Sequence, residues 1–298
     1  MRSKPFIILL SLIALTCGLW IVTAQEPDDE VRGAFISTRP KTTNGNAPSR
    51  RRRTRPTNSS GATAKNANSP AANVNRTGNM NSRVTHRLAE AIGLGYTLFM
   101  RGPNGRTVRA EPTREFHNGD SVRIALEPNV DGYLYVFHTE GDGAPEMIYP
   151  DWRLDGGENW IEAHVPVEVP SSEETDERLR WFTFYGNAGI ERLYVVVSRE
   201  PLPGVPTGDR LVTFCAANKD KCPWRPLSEV WGQLQNASRA DVKVVAAKSF
   251  GQPLSDKEQV ATTRGLGLDQ TAPEPSVIRM NASTNAPVLV AVLDLIHK

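Results

Sequence analysis

Cysteine is scarce, with Cys17, Cys215 and Cys222 the only three in 298 residues. No second cysteine pair and no His-x-His partner stands near Cys215 and Cys222, so a four-ligand zinc site is left half built. Gly-x-Ser-x-Gly does not occur, which removes the strained turn that presents a hydrolase serine. The twelve-residue, helix-flanked calcium loop is also missing. From Gln25 to about Arg83 there is scarcely an aromatic, and a stretch so poor in apolar area does not offset the entropy of ordering its chain.

The N-terminus carries the first positive signal. Arg2 and Lys4 precede an apolar run from Pro5 to Val22, and Val22-Thr23-Ala24 supplies small residues ahead of a cut. The pattern predicts a signal peptide over 1–24 and a mature chain beginning at Gln25, which places the protein outside the cytoplasm, periplasmic or secreted. An uncleaved membrane anchor is the alternative, since the run approaches the roughly 20 apolar residues that span a bilayer. Lipidation at Cys17 is a weaker option, because Ala14-Leu15-Thr16 lacks the expected order. Export leaves Cys215 and Cys222 as an even pair in an oxidising compartment, and one disulfide closing a short loop is expected.

Residues 25–84 read as a disordered basic linker of Asn, Thr, Ser, Pro and Arg. Its block Arg50, Arg51, Arg52, Arg53 and Arg55 is suited to loose contact with anionic envelope surfaces. The chain is formally +2, so the part from Thr85 onward must be net acidic. A specific nucleic-acid partner is therefore not expected for the folded part.

From Leu88 the pattern changes to short runs of Val, Ile, Tyr, Phe and Leu between Gly, Asn, Asp and Pro clusters, the mark of an all-β domain. Strands are predicted at Gly95–Arg101, from Arg106, and at Ser121–Glu127, Tyr133–His138, Met147–Tyr149, Trp160–Glu168, Trp181–Tyr185 and Glu191–Ser198. In Ser121–Glu127, Val122, Ile124 and Leu126 alternate with Ser121, Arg123 and Glu127, which predicts one buried and one wet face. Both faces of Tyr133–His138 are apolar, as in a central strand. These runs predict an antiparallel sandwich or barrel-like domain over 85–202. A C-terminal extension over 203–298 adds the disulfide loop, one amphipathic helix after Pro226 bearing Leu227, Val230, Trp231 and Leu234, and returning strands at Asp241–Ala246 and Val288–Ile296 that pack on the same core.

Four segments, Gly119-Asp120-Ser121-Val122-Arg123, Gly132-Tyr133-Leu134-Tyr135-Val136-Phe137, Ile148-Tyr149-Pro150 and Glu191-Arg192-Leu193-Tyr194-Val195-Val196, carry a resemblance. Over about 95–202 the chain resembles a bacterial family called domain of unknown function 4384 (DUF4384). The resemblance implies an extracytoplasmic or accessory β domain. It transfers no catalytic residue, because the matching positions are packing and turn positions.

Candidate chemistry is thin. His117, Asp120 and Ser121 hold the residue types of a hydrolase triad, yet a triad converges from separate elements, and adjacency argues for a turn. Glu162 and His164, two apart on a predicted strand, would share a face and approach a metal. His138 or Glu168 would have to supply a third ligand. Asp151, Asp155, Glu158 and Asn159 make an oxygen-rich loop around Gly156 and Gly157, which reads as a solvated acidic loop or a calcium site without a spacing rule. Trp152 and Trp160 flank that loop and, with Tyr149, Asp151 and Asp155, are the expected ligand-contacting set; the same aromatics serve equally well as core. The expectation is a non-enzymatic exported binding or adaptor module at the cell envelope, with no cofactor and an envelope protein, peptide or glycan as partner. Its alternatives are an exported hydrolase or metal-binding protein, and a membrane-tethered structural protein.

Overall fold

The computed structural model describes residues 27–41, 89–102, 105–247 and 249–298. The expected signal peptide, the lipidation candidate Cys17, the arginine block at 50–55 and most of the linker lie outside the described residues. In chain order the described helices are α1 (Pro27–Ser37), α2 (Asp209–Ala217), α3 (Ser228–Ala237) and α4 (Asp256–Arg264). The strands are β1 (Gly93–Arg101), β2 (Thr107–Ala110), β3 (Glu115–Phe116), β4 (Ser121–Pro128), β5 (Gly132–Glu140), β6 (Glu146–Tyr149), β7 (Trp160–Ile161), β8 (Val167–Val169), β9 (Phe182–Thr183), β10 (Gly189–Ser198), β11 (Val242–Ala246), β12 (Val277–Asn281) and β13 (Val288–His297).

They form two sheets and no closed barrel. The first sheet runs β11-β12-β1-β4-β8, with β2 beside β1 and β9 beside β4; the second runs β3-β13-β10-β5-β6, with β7 beside β5. Every pairing is antiparallel except β3 with β13. The predominantly β, sandwich-like fold follows from alternation. Leu94, Tyr96 and Leu98 of β1, Val122, Ile124 and Leu126 of β4, Leu134 and Val136 of β5, and Val195 and Val197 of β10 meet between the sheets. Burying each such side chain contributes about 1.5–3 kcal/mol, before cavity effects.

The outer faces are covered too. On β5 the alternate residues Tyr135 and Phe137 turn the other way and join Tyr194 and Val196 under Leu211, Cys215, Trp224 and Leu234 of the helical layer. The central-strand reading of Tyr133–His138 therefore holds, and its physical cause is a roof of α2 and α3. Gly132 opens this strand because a side chain there would meet the Ser198 carbonyl oxygen at 2.3 Å.

Several expectations need correction. Residues 27–37, placed in the linker by composition, form α1, and Val31, Ala34 and Phe35 pack on Val245, Ile278 and Met280 of β11 and β12. The helix that follows Pro226 is present as α3, but it is one of four described helices. Trp160–Glu168 is not one strand: β7 and β8 are separated by a turn at which His164 has a φ of 59°. The face of β4 expected to be wet is buried, with Arg123 and Glu127 only 8% and 4% exposed. Charged residues alternating with apolar ones usually mark solvent; here Arg39 and the chain around α4 cover Glu127, while Arg123 is met by Arg180 O at 3.0 Å, Glu168 and the Trp181 ring.

Cys215 and Cys222 stand at disulfide distance, with Cα atoms 5.6 Å apart. The link ties the end of α2 to the Trp224 segment beneath the helical layer. Reduction, or replacement of both cysteines by serine, is expected to lower unfolding free energy by about 2 kcal/mol, the chain-entropy value for so short a loop. Urea denaturation with and without reductant measures it; an unchanged midpoint would mean packing alone holds this corner.

Candidate functional site

Polar groups converge most densely against the outer face of the first sheet, not at the aromatic loop. Glu127 sits on the outward-facing register of β4, one residue before the strand ends. His164 reaches it from the turn after β7. That turn is pinned by the His164 amide donating to Pro128 O at 2.7 Å and by Leu268 N donating to His164 O at 2.8 Å. Arg39 arrives from the N-terminal segment just beyond α1. Arg39, Glu127 and His164 are 2%, 4% and 1% exposed.

Arg39 spends every N–H it has. Nε donates to Glu127 Oε1 and Nη2 to Glu127 Oε2, both at 2.7 Å, in a fork-on-fork pair. Nη2 also donates to Pro273 O at 3.1 Å, and Nη1 to Ala272 O at 3.0 Å and Asp269 O at 3.4 Å. A guanidinium offers five N–H donors in a rigid plane, and this socket takes all of them; an ammonium offers only three and no fork.

His164 completes the cluster. Its Nδ1 lies 2.8 Å from Glu127 Oε1 and its Nε2 2.8 Å from Thr38 Oγ1. Thr38 donates its single hydroxyl proton to Phe35 O at 2.6 Å. With that proton committed, the Thr38 oxygen and the Glu127 carboxylate each face one ring nitrogen, so both His164 nitrogens are engaged. Phe35 adds an edge-on ring contact to His164 at 5.2 Å.

Thr38, His164 and Glu127 therefore lie in the hydroxyl, imidazole, carboxylate order of an acyl-transfer relay. The chemistry does not follow, because the hydroxyl proton is committed to Phe35 O, the imidazole is 1% exposed and the carboxylate is clamped by Arg39. What the arrangement does is hold residues 38–40 to the sandwich. Burial alone would raise the Glu127 carboxyl, but hydrogen bonds from His164 and Arg39, with their charges, outweigh burial and hold it below the ordinary carboxylate range.

A second buried pair repeats the device. Arg109 on β2 bonds Thr97 Oγ1 at 3.2 Å and pairs with Glu258 of α4. Glu258 Oε2 in turn accepts from Ser255 N at 3.0 Å and from Ser255 Oγ at 2.6 Å, closing the capping box of that helix.

The residues singled out from sequence are scattered by comparison. Glu162 and His164 do not share a strand face, and both His164 nitrogens are taken, so the expected metal pair is not assembled. His138 pairs instead with Glu191 at 2.5 Å, and Glu168 with Arg123 at 3.5 Å. Among the described residues no group of three or more His, Cys, Asp or Glu converges as a metal site. His117, Asp120 and Ser121 form a turn in which His117 N donates to Asp120 Oδ2 at 3.1 Å and Ser121 Oγ bonds Thr183 Oγ1 at 3.0 Å.

In the loop from 149 to 160, Asp151 is forked by Arg153, and Asn159 turns inward to bond Leu134 O at 3.1 Å. Asp155 is exposed at a φ of 49°. Trp152 packs at the rim of the helical layer, and Trp160 meets Tyr133 edge-on at 5.2 Å. Tyr149 points the other way, toward the space between the sheets, where burial first and the Asp155 charge second push its phenol upward. Sequence reasoning did not find the Arg39 socket, and only the lone Thr38-Arg39 after a short apolar patch signals it.

The architecture is thus a two-sheet β sandwich with helical cover on both outer faces. Residues 115–201, running from β3 through β10, match the family model "Domain of unknown function (DUF4384)", in agreement with the resemblance seen in the sequence. Comparison with curated proteins and with solved structures finds no match.

Glu127→Gln is expected to destabilise the protein by about 3–5 kcal/mol, because it leaves Arg39 buried without its counter-charge. The pH dependence follows from the lowered Glu127 pKa. Its contribution is complete above the unfolded carboxyl value and is lost as pH falls through the lower folded value. The acid limb of a stability-versus-pH curve should therefore be shallower in Glu127→Gln than in the wild type; identical limbs would remove Glu127 from the account.

Proposed function

We propose that the protein is an exported, non-catalytic binding or adaptor module of the cell envelope, with the loop from 149 to 160 as its recognition surface. The observation that carries this reading is a loop held in shape before any ligand arrives. Arg153 N and Leu154 N donate to Asp151, Gly157 N donates to Leu154 O, and Gly208 N to Gly157 O, while Asp155 stays exposed in a left-handed conformation. Loops positioned by a rigid scaffold are where binding residues concentrate, and backbone held in a sparse region is a reason to look there.

Trp152 and Trp160 are half-buried on this side of the second sheet, and Asp151 and Asp155 belong to the same loop, Asp151 held by Arg153 and Asp155 exposed. Aromatic faces next to carboxylates fit a glycan or an extended peptide. The expected export signal at 1–24 and linker before the sandwich supply delivery and tether in the same reading; the intact mass of the mature chain, beginning at Gln25 or not, separates cleavage from anchoring.

The test is a thermal-stabilisation screen of the full chain against envelope polymers, glycans and peptides. A true ligand at about 100 times its Kd adds about 2.7 kcal/mol, and that gain is expected to shrink in Trp152→Ala or Trp160→Ala. A ligand whose effect both variants leave untouched places recognition elsewhere. A turnover abolished by one polar substitution overturns the non-catalytic reading.

A further inference from the structure

The cleft that holds residues 27–40 has the features of a peptide site. Its floor leaves room for an aromatic ring packed with body side chains: a side-chain carbon at Gly95 would meet Pro275 Cγ at 2.5 Å and Phe35 Cζ at 3.0 Å, and one at Gly93 would meet Met280 Cγ at 3.0 Å and Phe35 Cδ2 at 3.2 Å. Its far end is the guanidinium socket built from Glu127 and the carbonyls of Asp269, Ala272 and Pro273. Between them, His164 reads the Thr38 hydroxyl at 2.8 Å. At the rim, Glu274 pairs with Arg32 at 3.0 Å, and Lys243 with Glu30 at 3.6 Å.

Every one of these cleft residues comes from the body beyond residue 89, and the occupant is joined to that body only through Thr42–Leu88. A connection of that length does not dictate which copy's segment fills which cleft. An element that docks through side chains, on a connection long enough to reach either its own body or a neighbouring one, can exchange between identical chains.

We infer that the cleft is a docking site for an amphipathic helix ending in Phe-x-x-Thr-Arg, and that a second copy of this chain can supply the occupant, giving strap-exchanged pairs. In dilute solution the chain's own segment wins, because tethering gives it an effective concentration in the millimolar range. Pairs form where chains are crowded, or where a chain's own strap is damaged.

Two full-length variants test this. Arg39→Ala has an intact cleft and a faulty strap; Glu127→Gln has an intact strap and a faulty cleft. Mixed at micromolar concentration, they are expected to form a one-to-one complex by light scattering that neither forms alone. A labelled peptide of residues 27–41 added to the Arg39→Ala chain covers the case in which Glu127→Gln fails to fold. It should bind saturably, and at least ten-fold more tightly than the same peptide carrying Arg39→Ala or Arg39→Lys.

Equal binding of the three peptides, or none by any, overturns the docking site. Selective peptide binding without association of two folded variants leaves a peptide site and overturns the second copy as its occupant.

Discussion

A guanidinium taken out of water costs several kcal/mol unless its donors and its charge are met, and the way Arg39 is met organises one whole side of this molecule. Glu127 must stand at the end of β4, facing outward, and the turn bearing His164 must close against Pro128 O. The chain from 266 to 275 must present three carbonyls to the same point. The end of α1 must deliver Thr38 and Arg39 together. Each of these is a separate stretch of sequence, and the buried charge makes their positions interdependent. Arg109 and Glu258 perform the same service for α4, so both covering elements of the first sheet are held by an arginine driven into a carboxylate.

The segment matching the DUF4384 model, 115–201, is not a closed unit by itself. Within it, β4 has β8 and β9 on one side, but its longer partner is β1; β10 has β5 on one side and needs β13 on the other. Strands from both flanks complete the two sheets, and the helical layers come from outside the match as well. The N-terminal helix, the disulfide corner and α4 are therefore additions that cover faces the matched segment leaves open.

Much of the sandwich was legible because its signals are local. The alternation in Ser121–Glu127, the two-sided apolar run at Tyr133–His138 and the long Glu191–Ser198 stretch each announce a strand within a few residues. What escaped depends on distant partners. The helix α1 carries little apolar surface beyond Val31, Ala34, Phe35 and Ile36, so composition assigned it to the linker; it is held by distant partners, β11 and β12 under its apolar face and Glu127 beyond its end. Glu127 looked solvated because the residue that neutralises it lies 88 positions away. Glu162 and His164 looked like facing neighbours on a strand until the turn at His164 broke the period. The strand β12 is short and follows a proline-bearing segment, and its pairing with β1 is invisible from spacing alone.

Amide hydrogen exchange over residues 31–41 of the intact protein, compared with that of the Arg39→Ala variant, bears most directly on the claim that a buried charge holds the N-terminal segment to the sandwich. The claim predicts slow exchange in the wild type. It also predicts loss of that protection in the variant throughout α1, while β1, β4 and β10 keep theirs. Equal protection of α1 in both proteins would show that Phe35 and its neighbours suffice, and that the Arg39–Glu127 pair is a passenger.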